Sequence, residues 1–486
     1  MKPVPFHPFD AFERACRART ALCLLVLFAA PAYAADRGDP FDTAKLRPAA
    51  PSQFWNGPAA TCAHSDTIPD PLRLVDAVDL ALCNNPQTRL SWANAKASAA
   101  QVGIARSGFL PEVDANASLQ RSETWNVPGA NGQTSLNGSI SFNYLLFDFG
   151  GRDATLELAR QSLLASDWTH NNTLQLVLLN AVQSYYQLYA AQDAVQSALA
   201  AEKASLASLE AARARLRVGS ATRADVLQAQ TSYSQNQLIR TQAEGDEATF
   251  RGVLANALGL SAERPLRIAA APDLEAQRVA DQAVGQLIDL AKSKRPDLAA
   301  AEAQVRAAES NIKVQQSFGM PTLSLFGTAG ATQAAPGADP RTGAIGLQLN
   351  IPLFTGYRNT YQILQAREQL DAQIASRDRL STDVSLDVWR SYQDLRTQGQ
   401  ALTTSTELVA SAQESYNVAL ARYKAGVGTV TDLLNAQSAL ASANLQKIQA
   451  RFRWNLAKAT LAKAIGVLEP DLVADRIPAQ NDQSPR

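Results

Sequence analysis

Two pairs of threonine and aspartate with the same spacing are the residues of this chain best suited to a chemical role. Thr222 precedes Asp225 by three positions, and Thr429 precedes Asp432 by the same interval. A threonine and an aspartate so spaced can cap the start of a helix, because each side chain bonds the other residue's backbone N–H. A carboxylate can also attract cations. Capping and an ion-related role are therefore both open for the two aspartates.

The two pairs belong to one motif that the chain contains twice. The stretch "VGSATRADVLQAQTSY" returns 207 positions later as "AGVGTVTDLLNAQSAL". Gly219 and Gly426 stand near the start of the two copies, where a glycine can end a helix in the left-handed conformation. Each copy therefore predicts a helical hairpin, with its tip at 219–225 or 426–432. Other segments recur as well, and two halves of roughly 190 residues make up most of the chain.

The N-terminus predicts an exported protein. Three arginines precede the apolar run "ALCLLVLFAAPAYA", which ends in small residues at Ala34, the pattern of a cleaved secretory signal peptide. Of the four cysteines, two belong to this leader, and Cys62 and Cys83 remain. In an oxidising compartment we favour a disulfide between them, and a metal site or two buried free thiols are the alternatives.

Composition argues against several classes of function. With 45 basic and 45 acidic residues the chain has no net charge, which argues against a nucleic-acid partner. No run of 18 apolar residues follows the leader, so we expect no transmembrane helix. The three histidines show no metal-ligand spacing, and the sequence has neither a nucleophile elbow nor a phosphate-binding glycine loop. We therefore expect no enzyme activity, no cofactor and no bound metal.

Two stretches of the chain predict helices of unusual length. No proline occurs between Pro128 and Pro265 or between Pro352 and Pro470, and both stretches are rich in Ala, Gln, Leu, Arg and Glu. Apolar residues and alanines recur there at spacings of three and four, which indicates a coiled-coil seam with close contact between helices. Helices of this length do not fit in a compact globule.

Each half also carries two short segments in which apolar and polar residues alternate. They predict β-hairpins at 112–147 and 322–354, with aromatic residues where the strands give way to helices. Strands of about 10 residues with one apolar face have the length that spans a bilayer. We prefer a membrane barrel to the alternative, a sheet lying on a soluble helical core. Four strands cannot close a barrel, so several chains must contribute to one.

The leader, the tandem halves, the long helices and the two strands per half together resemble the TolC-like outer membrane efflux protein family. The resemblance covers approximately residues 72–467, and its most specific motifs are "SGFLP", "LFDFGGR", "ARLRVGSATRADVLQAQ" and "ARYKAGVGTVTDLLNAQ". It implies a mainly α fold with a membrane β-barrel: a homotrimer whose chains share one 12-stranded outer membrane barrel, continued by a periplasmic α-helical coiled-coil barrel. It also implies docking to a periplasmic adaptor protein and to an inner-membrane transporter, either an ABC or a proton-driven one.

The resemblance assigns roles to the hairpin tips, which in the family form the closed periplasmic end of the channel. The residues that match its constricting, gating positions are Asp225, Tyr423 and Asp432. The residues that match the tips to which the adaptor docks are Gly219, Thr222, Gly426 and Thr429. This chain has Gly428 and Asn435 where some members have an arginine and a second aspartate, which argues against a charged lock of that kind.

Two classes of function follow. The first is the outer membrane channel of a tripartite export system. The absence of a lipoprotein-type cysteine at the end of the leader favours its type I secretion branch, which exports haemolysin and adenylate cyclase toxins, over small-molecule or multidrug efflux. The second class is a periplasmic coiled-coil structural or adaptor protein.

The predicted divisions of the chain are a signal peptide at 1–34, an N-terminal periplasmic segment at 35–71, a first repeat at 72–264, a linker at 265–282, a second repeat at 283–467 and a flexible tail at 468–486.

Overall fold

The computed structural model describes residues 39–57, 60, 62, 68–123, 125, 132–270, 283–335 and 339–468. The expected signal peptide, the tail beyond 468 and the linker beyond 270 lie outside these residues. The chain divides into two units. The first extends to Leu46, and its described part contains the short 3-10 helix Thr43–Leu46. The second begins at Arg47 and contains the helices and strands described below.

One succession of elements occurs twice in the second unit. The first copy consists of α1 Leu74–Asn84, α2 Pro86–Ser107, β1 Glu112–Ser122, β2 Gln133–Phe147, α3 Gly151–Arg217 and α4 Arg223–Ala257. The second copy consists of α5 Val284–Lys294, α6 Pro296–Ser317, β3 Thr322–Ala335, β4 Arg341–Asn350, α7 Arg358–Lys424 and α8 Val430–Ile465. Both α3 and α7 are 67 residues long, and α4 and α8 have 35 and 36 residues. The two structural repeats expected from the sequence are therefore present.

The long helices begin and end where the sequence supplies a break. Gly150 and Tyr357 precede α3 and α7 in the left-handed conformation, with φ of 86° and 62°. Pro86 and Pro296 open α2 and α6, where a proline costs no helix hydrogen bond. Without an internal proline, a helix of 67 residues extends for about 100 Å. In the described part of the chain, no helix has both the length and the apolar character needed to cross a membrane.

The two hairpins predicted by the alternating segments are present as β1-β2 and β3-β4, and they join in one antiparallel sheet of the order β1-β2-β3-β4. The pairing of β2 with β3 joins the two repeats, with Thr134 opposite Ala335. Among the described residues β1 and β4 pair on one side only and are the edges of the sheet. The alternating pattern extends to 354, but β4 ends at Asn350, because Pro352 has no N–H to donate to a neighbouring strand.

Apolar clusters hold the short helices against the middle of the long ones. In the first repeat Tyr185 on α3 is fully buried, and its hydroxyl donates to the carbonyl oxygens of Leu72 at 3.0 Å and Ala269 at 2.9 Å. In the second repeat Leu287 on α5 is fully buried against Val388 on α7 and the end of α8. Both ends of the long helices project beyond these clusters, one toward the sheet and the other toward the hairpin tips.

Candidate functional site

The tip of the first helical hairpin has the geometry that its motif predicts. Gly219 has φ of 77° and ends α3, and Thr222 is the N-cap of α4. The backbone N–H of Thr222 donates to Asp225 Oδ2 at 2.8 Å, and the N–H of Asp225 donates to Thr222 Oγ1 at 3.2 Å. Two N–H groups that a helix leaves unpaired at its start are thereby satisfied.

The second tip repeats this arrangement. Gly426 has φ of 79°, and Thr429 is the N-cap of α8. The N–H of Thr429 donates to Asp432 Oδ2 at 3.2 Å, and the N–H of Asp432 donates to Thr429 Oγ1 at 3.1 Å. Hydrogen bonds from the side chain and backbone of Thr429 hold the pKa of Asp432 below its usual range. Asp432 is exposed, so its carboxylate combines a capping role with a negative charge at the tip.

Tyr423, the third residue of the expected constriction, lies between the two hairpins of its own chain. Its side chain is 5% exposed and belongs to an apolar cluster at the tips, the tip cluster. The other buried members of the tip cluster are Leu209, Ala212, Ala229, Val430 and Leu433. Within the described chain the Tyr423 hydroxyl has no hydrogen-bond partner, so it bonds neither Asp225 nor Asp432 of the same chain. The structure thus brings the two tips together through apolar packing.

Arg215, which the sequence analysis missed, is one polar link between the tips, and the hydrogen bond from Thr431 Oγ1 to Gln228 Oε1 at 3.1 Å is another. The Arg215 guanidinium lies over the Tyr423 ring and donates to the carbonyl oxygens of Tyr423 and, at 3.2 Å, of Lys424. These carbonyls belong to the last turn of α7, where a cation is favourable because the negative end of the helix dipole lies there. The sequence offered one sign of the importance of Arg215: an arginine occurs at the same place in both repeats, because Arg215 and Arg422 are separated by the repeat offset of 207.

The register of the sheet gathers apolar side chains on one surface, the apolar sheet face. Val113 lies opposite Phe142, and Phe142 lies opposite Gly327. Gly327 in turn lies opposite Ile345. The same face also carries Ala115, Ala117, Leu119, Leu136, Ile140, Tyr144, Leu323, Leu325, Leu347 and Leu349. Nothing in the described chain covers this face, and Ile345 and Leu347 are 80% and 64% exposed.

The opposite surface of the sheet, the polar sheet face, carries mostly charged, amide and hydroxyl side chains. Its polar residues include Glu112, Asp114, Asn116, Ser118, Ser139, Ser141, Asn143, Ser324, Thr328, Gln348 and Asn350. Leu145 and Phe326 are apolar exceptions near its helical end. A sheet exposed on both surfaces, one apolar and one polar, suits a boundary between lipid and water.

Aromatic residues gather where the strands give way to α3 and α7. The rings of Phe147 and Phe149 lie 4.7 Å apart, and those of Phe354 and Tyr357 lie 5.5 Å apart, both pairs edge to face. All four side chains are more than half exposed. Aromatic side chains of this kind favour the interface between a bilayer and water, which is where the sequence pattern predicts a girdle.

The segment before α1 is fastened to α1 and to α3. Cys62 and Cys83 are joined by a disulfide, with 5.8 Å between their Cα atoms, which ties the segment to the last turn of α1. The side chain of Asn171 on α3 accepts from the N–H of Trp55 at 2.6 Å and donates to its carbonyl at 3.1 Å. This pairing satisfies polar groups that would otherwise be buried without partners.

A buried carboxyl and a buried imidazole lie beside this segment. Asp167 on α3 is 1% exposed, and neither of its carboxyl oxygens has a hydrogen-bond partner among the described residues. Burial raises the pKa of Asp167 to about 7, against the attraction of Arg47. His170 is fully buried, with Nδ1 2.7 Å from Ser91 Oγ, and burial lowers its pKa to about 4. Both groups therefore favour their neutral forms.

Comparison with known proteins gives a consistent assignment. A sequence model of the family described as "Outer membrane efflux protein" matches residues 77–260 and 287–467. The chain is 32% identical over 406 residues to Protein CyaE of Bordetella pertussis, covering 82% of this chain and 84% of that protein. It is 26% identical over 435 residues to the toluene efflux pump outer membrane protein TtgC of Pseudomonas putida, covering 86% and 87%. The crystal structure of the Campylobacter jejuni CmeC outer membrane channel has the same fold, with a TM-score of 0.70 at 18% identity over 81% of this chain and 86% of that one.

Proposed function

The chain belongs to the outer membrane efflux protein family, and we propose that three copies of it form the outer membrane duct of a tripartite export system. It is an outer membrane protein whose helices lie on the periplasmic side. The duct carries cargo from the periplasm to the exterior. The alternative of another class is a periplasmic coiled-coil structural or adaptor protein.

The observation that carries this proposal is the open sheet with an uncovered apolar face. A row of exposed apolar side chains in water is unfavourable, and a bilayer removes that cost. Each chain offers four strands and two free edges, β1 and β4. A membrane sheet must have no unpaired edge, so β1 of one copy pairs with β4 of the next. Four strands from each of three copies give the twelve-stranded barrel.

The paired hairpin tips are the proposed docking surface for the partners. They lie at the end of the long helices opposite the sheet, and we expect them to reach deepest into the periplasm in the assembled duct. A periplasmic adaptor protein docks there and connects the duct to an inner-membrane transporter. The transporter supplies the energy for export, because a duct of this kind has no chemistry of its own to drive cargo.

Within this function we favour type I protein secretion. The choice rests on the sequence at the end of the leader, as argued above, and the 32% identity to Protein CyaE of Bordetella pertussis supports it. Small-molecule efflux is the alternative branch, and its support is a relative named as the outer membrane protein of a toluene efflux pump. The partner is an ABC transporter in the first branch and a proton-driven transporter in the second.

Purification of the full chain from membranes tests the duct itself. We expect a detergent-solubilised trimer that separates into monomers only on heating, and stepwise conductance when it is added to planar bilayers. A water-soluble monomer without conductance would overturn the proposal and favour the periplasmic structural or adaptor protein.

A second experiment separates the two branches. The gene is deleted in its native bacterium and restored on a plasmid, and the secreted proteins and the susceptibility to solvents and antibiotics are compared. Loss of one or a few secreted proteins with unchanged susceptibility supports type I secretion. Increased susceptibility with an unchanged set of secreted proteins supports small-molecule efflux.

A further inference from the structure

A cavity of about 790 Å³ lies where the helical end of the sheet meets α2, α3 and α6. Its apolar walls come from Ile104, Leu158, Phe318 and Met320, and polar groups enter it from the ends of the strands and the first turns of α3 and α7. This volume is within the range of cavities that hold small organic ligands.

The strand residues that line the cavity all belong to the polar sheet face. Thr322 lies opposite Asn350, and Leu145 lies opposite Ser324, two residues from Thr322 on the same strand. No residue of the apolar sheet face is among the cavity walls. The cavity therefore opens on the side that faces water, which is the interior of the proposed duct.

The two repeats place different charges in this cavity. In "LFDFGGR" the aspartate after the phenylalanine is Asp148, and its carboxylate pairs with Arg152 at 3.2 Å. Arg152 also donates to the carbonyl oxygen of Leu145 at 2.7 Å, so its guanidinium is well satisfied. In the shorter motif "LFTGYR" the residue after the phenylalanine is Thr355, which has no charge.

Arg358, the last residue of this shorter motif and the first of α7, is consequently unpaired. Its side chain makes neither an ion pair nor a hydrogen bond with any part of the chain that the structure describes, and it lines the cavity. With Arg152 neutralised by Asp148, the cavity keeps one uncompensated positive charge beside an apolar wall. An anionic group can bond a guanidinium in two places at once, which strengthens the interaction.

We propose that this cavity binds an amphipathic organic anion, with its apolar body against Phe318, Met320 and Leu158 and its carboxylate or sulfonate on Arg358. The site is a stopping point for anionic solutes at the entrance to the membrane part of the duct. The cavity lies beneath β2 and β3 and extends to Asn350 at the end of β4, one of the two edge strands at which neighbouring copies join in the proposed trimer. Its position inside a duct rests on the proposed function, but its ability to bind does not.

The test measures binding of 2-naphthalenesulfonate to the purified full chain in lipid nanodiscs by equilibrium dialysis, with empty nanodiscs as the blank. The uncharged analogue 2-naphthalenemethanol is measured in parallel. We expect saturable binding of the sulfonate, and we expect Arg358→Gln to weaken it by about tenfold because one charged hydrogen-bonded contact is lost. Thr355→Asp places a carboxylate at the position of Asp148 in the first repeat. Because this carboxylate would pair with Arg358, we expect it to weaken binding of the sulfonate about as much as Arg358→Gln does.

Arg367→Gln is the matched control, because it removes an exposed arginine on the same helix outside the cavity. Circular dichroism and the oligomeric state show whether each variant is folded. Equal affinity of wild type and Arg358→Gln, or equal binding of the sulfonate and the alcohol, would overturn the proposal. If the chain binds the sulfonate saturably but shows no conductance, the proposed duct is rejected and the proposed anion-binding cavity is retained.

Discussion

The guanidinium carbon of Arg215 lies 4.1 Å from the centre of the Tyr423 ring, and this contact joins the end of α3 to the end of α7. The two residues belong to different repeats and different hairpins. Because Arg215 also bonds the carbonyls of Tyr423 and Lys424, the two tips cannot separate without breaking a stacked cation and its hydrogen bonds. If these tips form the inner end of the proposed duct, we expect Arg215 to oppose its opening.

Replacing Arg215 by glutamine should loosen the contact between the tips. The cation–π interaction and the hydrogen bonds together contribute about 1 to 3 kcal/mol, so amide exchange in the last turn of α7 should become roughly tenfold faster or more. Arg213→Gln is the control, because Arg213 bonds Gln230 within its own hairpin at 2.7 Å. If both variants accelerate exchange equally, Arg215 has no special role between the hairpins.

The charge and the capping role of Asp432 can be separated by two substitutions. Asp432→Asn keeps an oxygen that accepts from the Thr429 N–H but removes the charge, so we expect less cation preference and less block by multivalent cations, with a smaller loss of thermal stability than removal of the cap causes. Thr429→Ala removes the cap and keeps the charge, with an expected loss of about 0.5 to 2 kcal/mol. Reversal potentials and melting curves measure the two effects. Indifference of conductance to Asp432→Asn would leave this residue only as a helix cap.

The pKa of Asp432 also fixes the pH dependence of its effects. Its folded pKa is lowered, so its contribution to stability is present above the unfolded value near 4 and is lost as pH falls through the folded value. The cation preference should therefore persist at neutral and mildly acidic pH.

The apolar sheet face predicts a difference between adjacent residues of β4. Leu347 lies on the apolar face and Gln348 on the polar face. An arginine at 347 would face lipid near the middle of the strand, at a cost of about 2 to 4 kcal/mol, and should reduce the yield of trimer in the outer membrane. Gln348→Arg puts the same side chain on the same strand facing water and should be tolerated. Equal yields of the two variants, measured on unheated gels, would contradict the assignment of the faces.

Asp167 is expected to lower the stability of the folded chain at neutral pH. Its folded pKa of about 7 exceeds the unfolded value, so the folded state holds its proton more tightly and stability falls between about pH 4 and pH 7. Asp167→Asn should therefore raise the free energy of unfolding at pH 8, by the order of 1 to 4 kcal/mol, and change it little near pH 4. Melting temperatures across this range provide the measurement. A gain that is the same at both pH values would point to packing rather than ionisation.

The elements of this fold were predictable because their signals are local. Long proline-free stretches predicted the helices, and the alternation of apolar and polar residues predicted the strands. The spacing of Thr222 and Asp225 predicted the start of α4. The start of β2 shows the limit of such signals: alternation is clear only from Ser139, yet the strand begins at Gln133, because pairing with β1 continues to Gln133, opposite Ser122.

The contacts that link the repeats could not be read from the sequence. The partners Arg215 and Tyr423 are 208 residues apart, and nothing in either local pattern specifies how two hairpins lie against each other. Tyr423 was expected at a constriction by resemblance, and its packing in the tip cluster depends on the same unspecified geometry. The sequence likewise does not show that Arg358 lacks a partner, because this depends on which groups of the two repeats line the same cavity.

The two free edges of the sheet make the amount of duct sensitive to the supply of chains. If three chains must meet before any edge is satisfied, the equilibrium concentration of ducts varies with the third power of the free chain concentration, and halving the chains lowers it about eightfold. A chain whose edge cannot pair would also interfere with its intact counterparts. Expressed in equal amount and mixed at random, it would leave only about one trimer in eight without a defective member. Sensitivity to gene dosage and dominant inhibition by defective chains would thus both follow from the need to pair β1 with β4 of another chain.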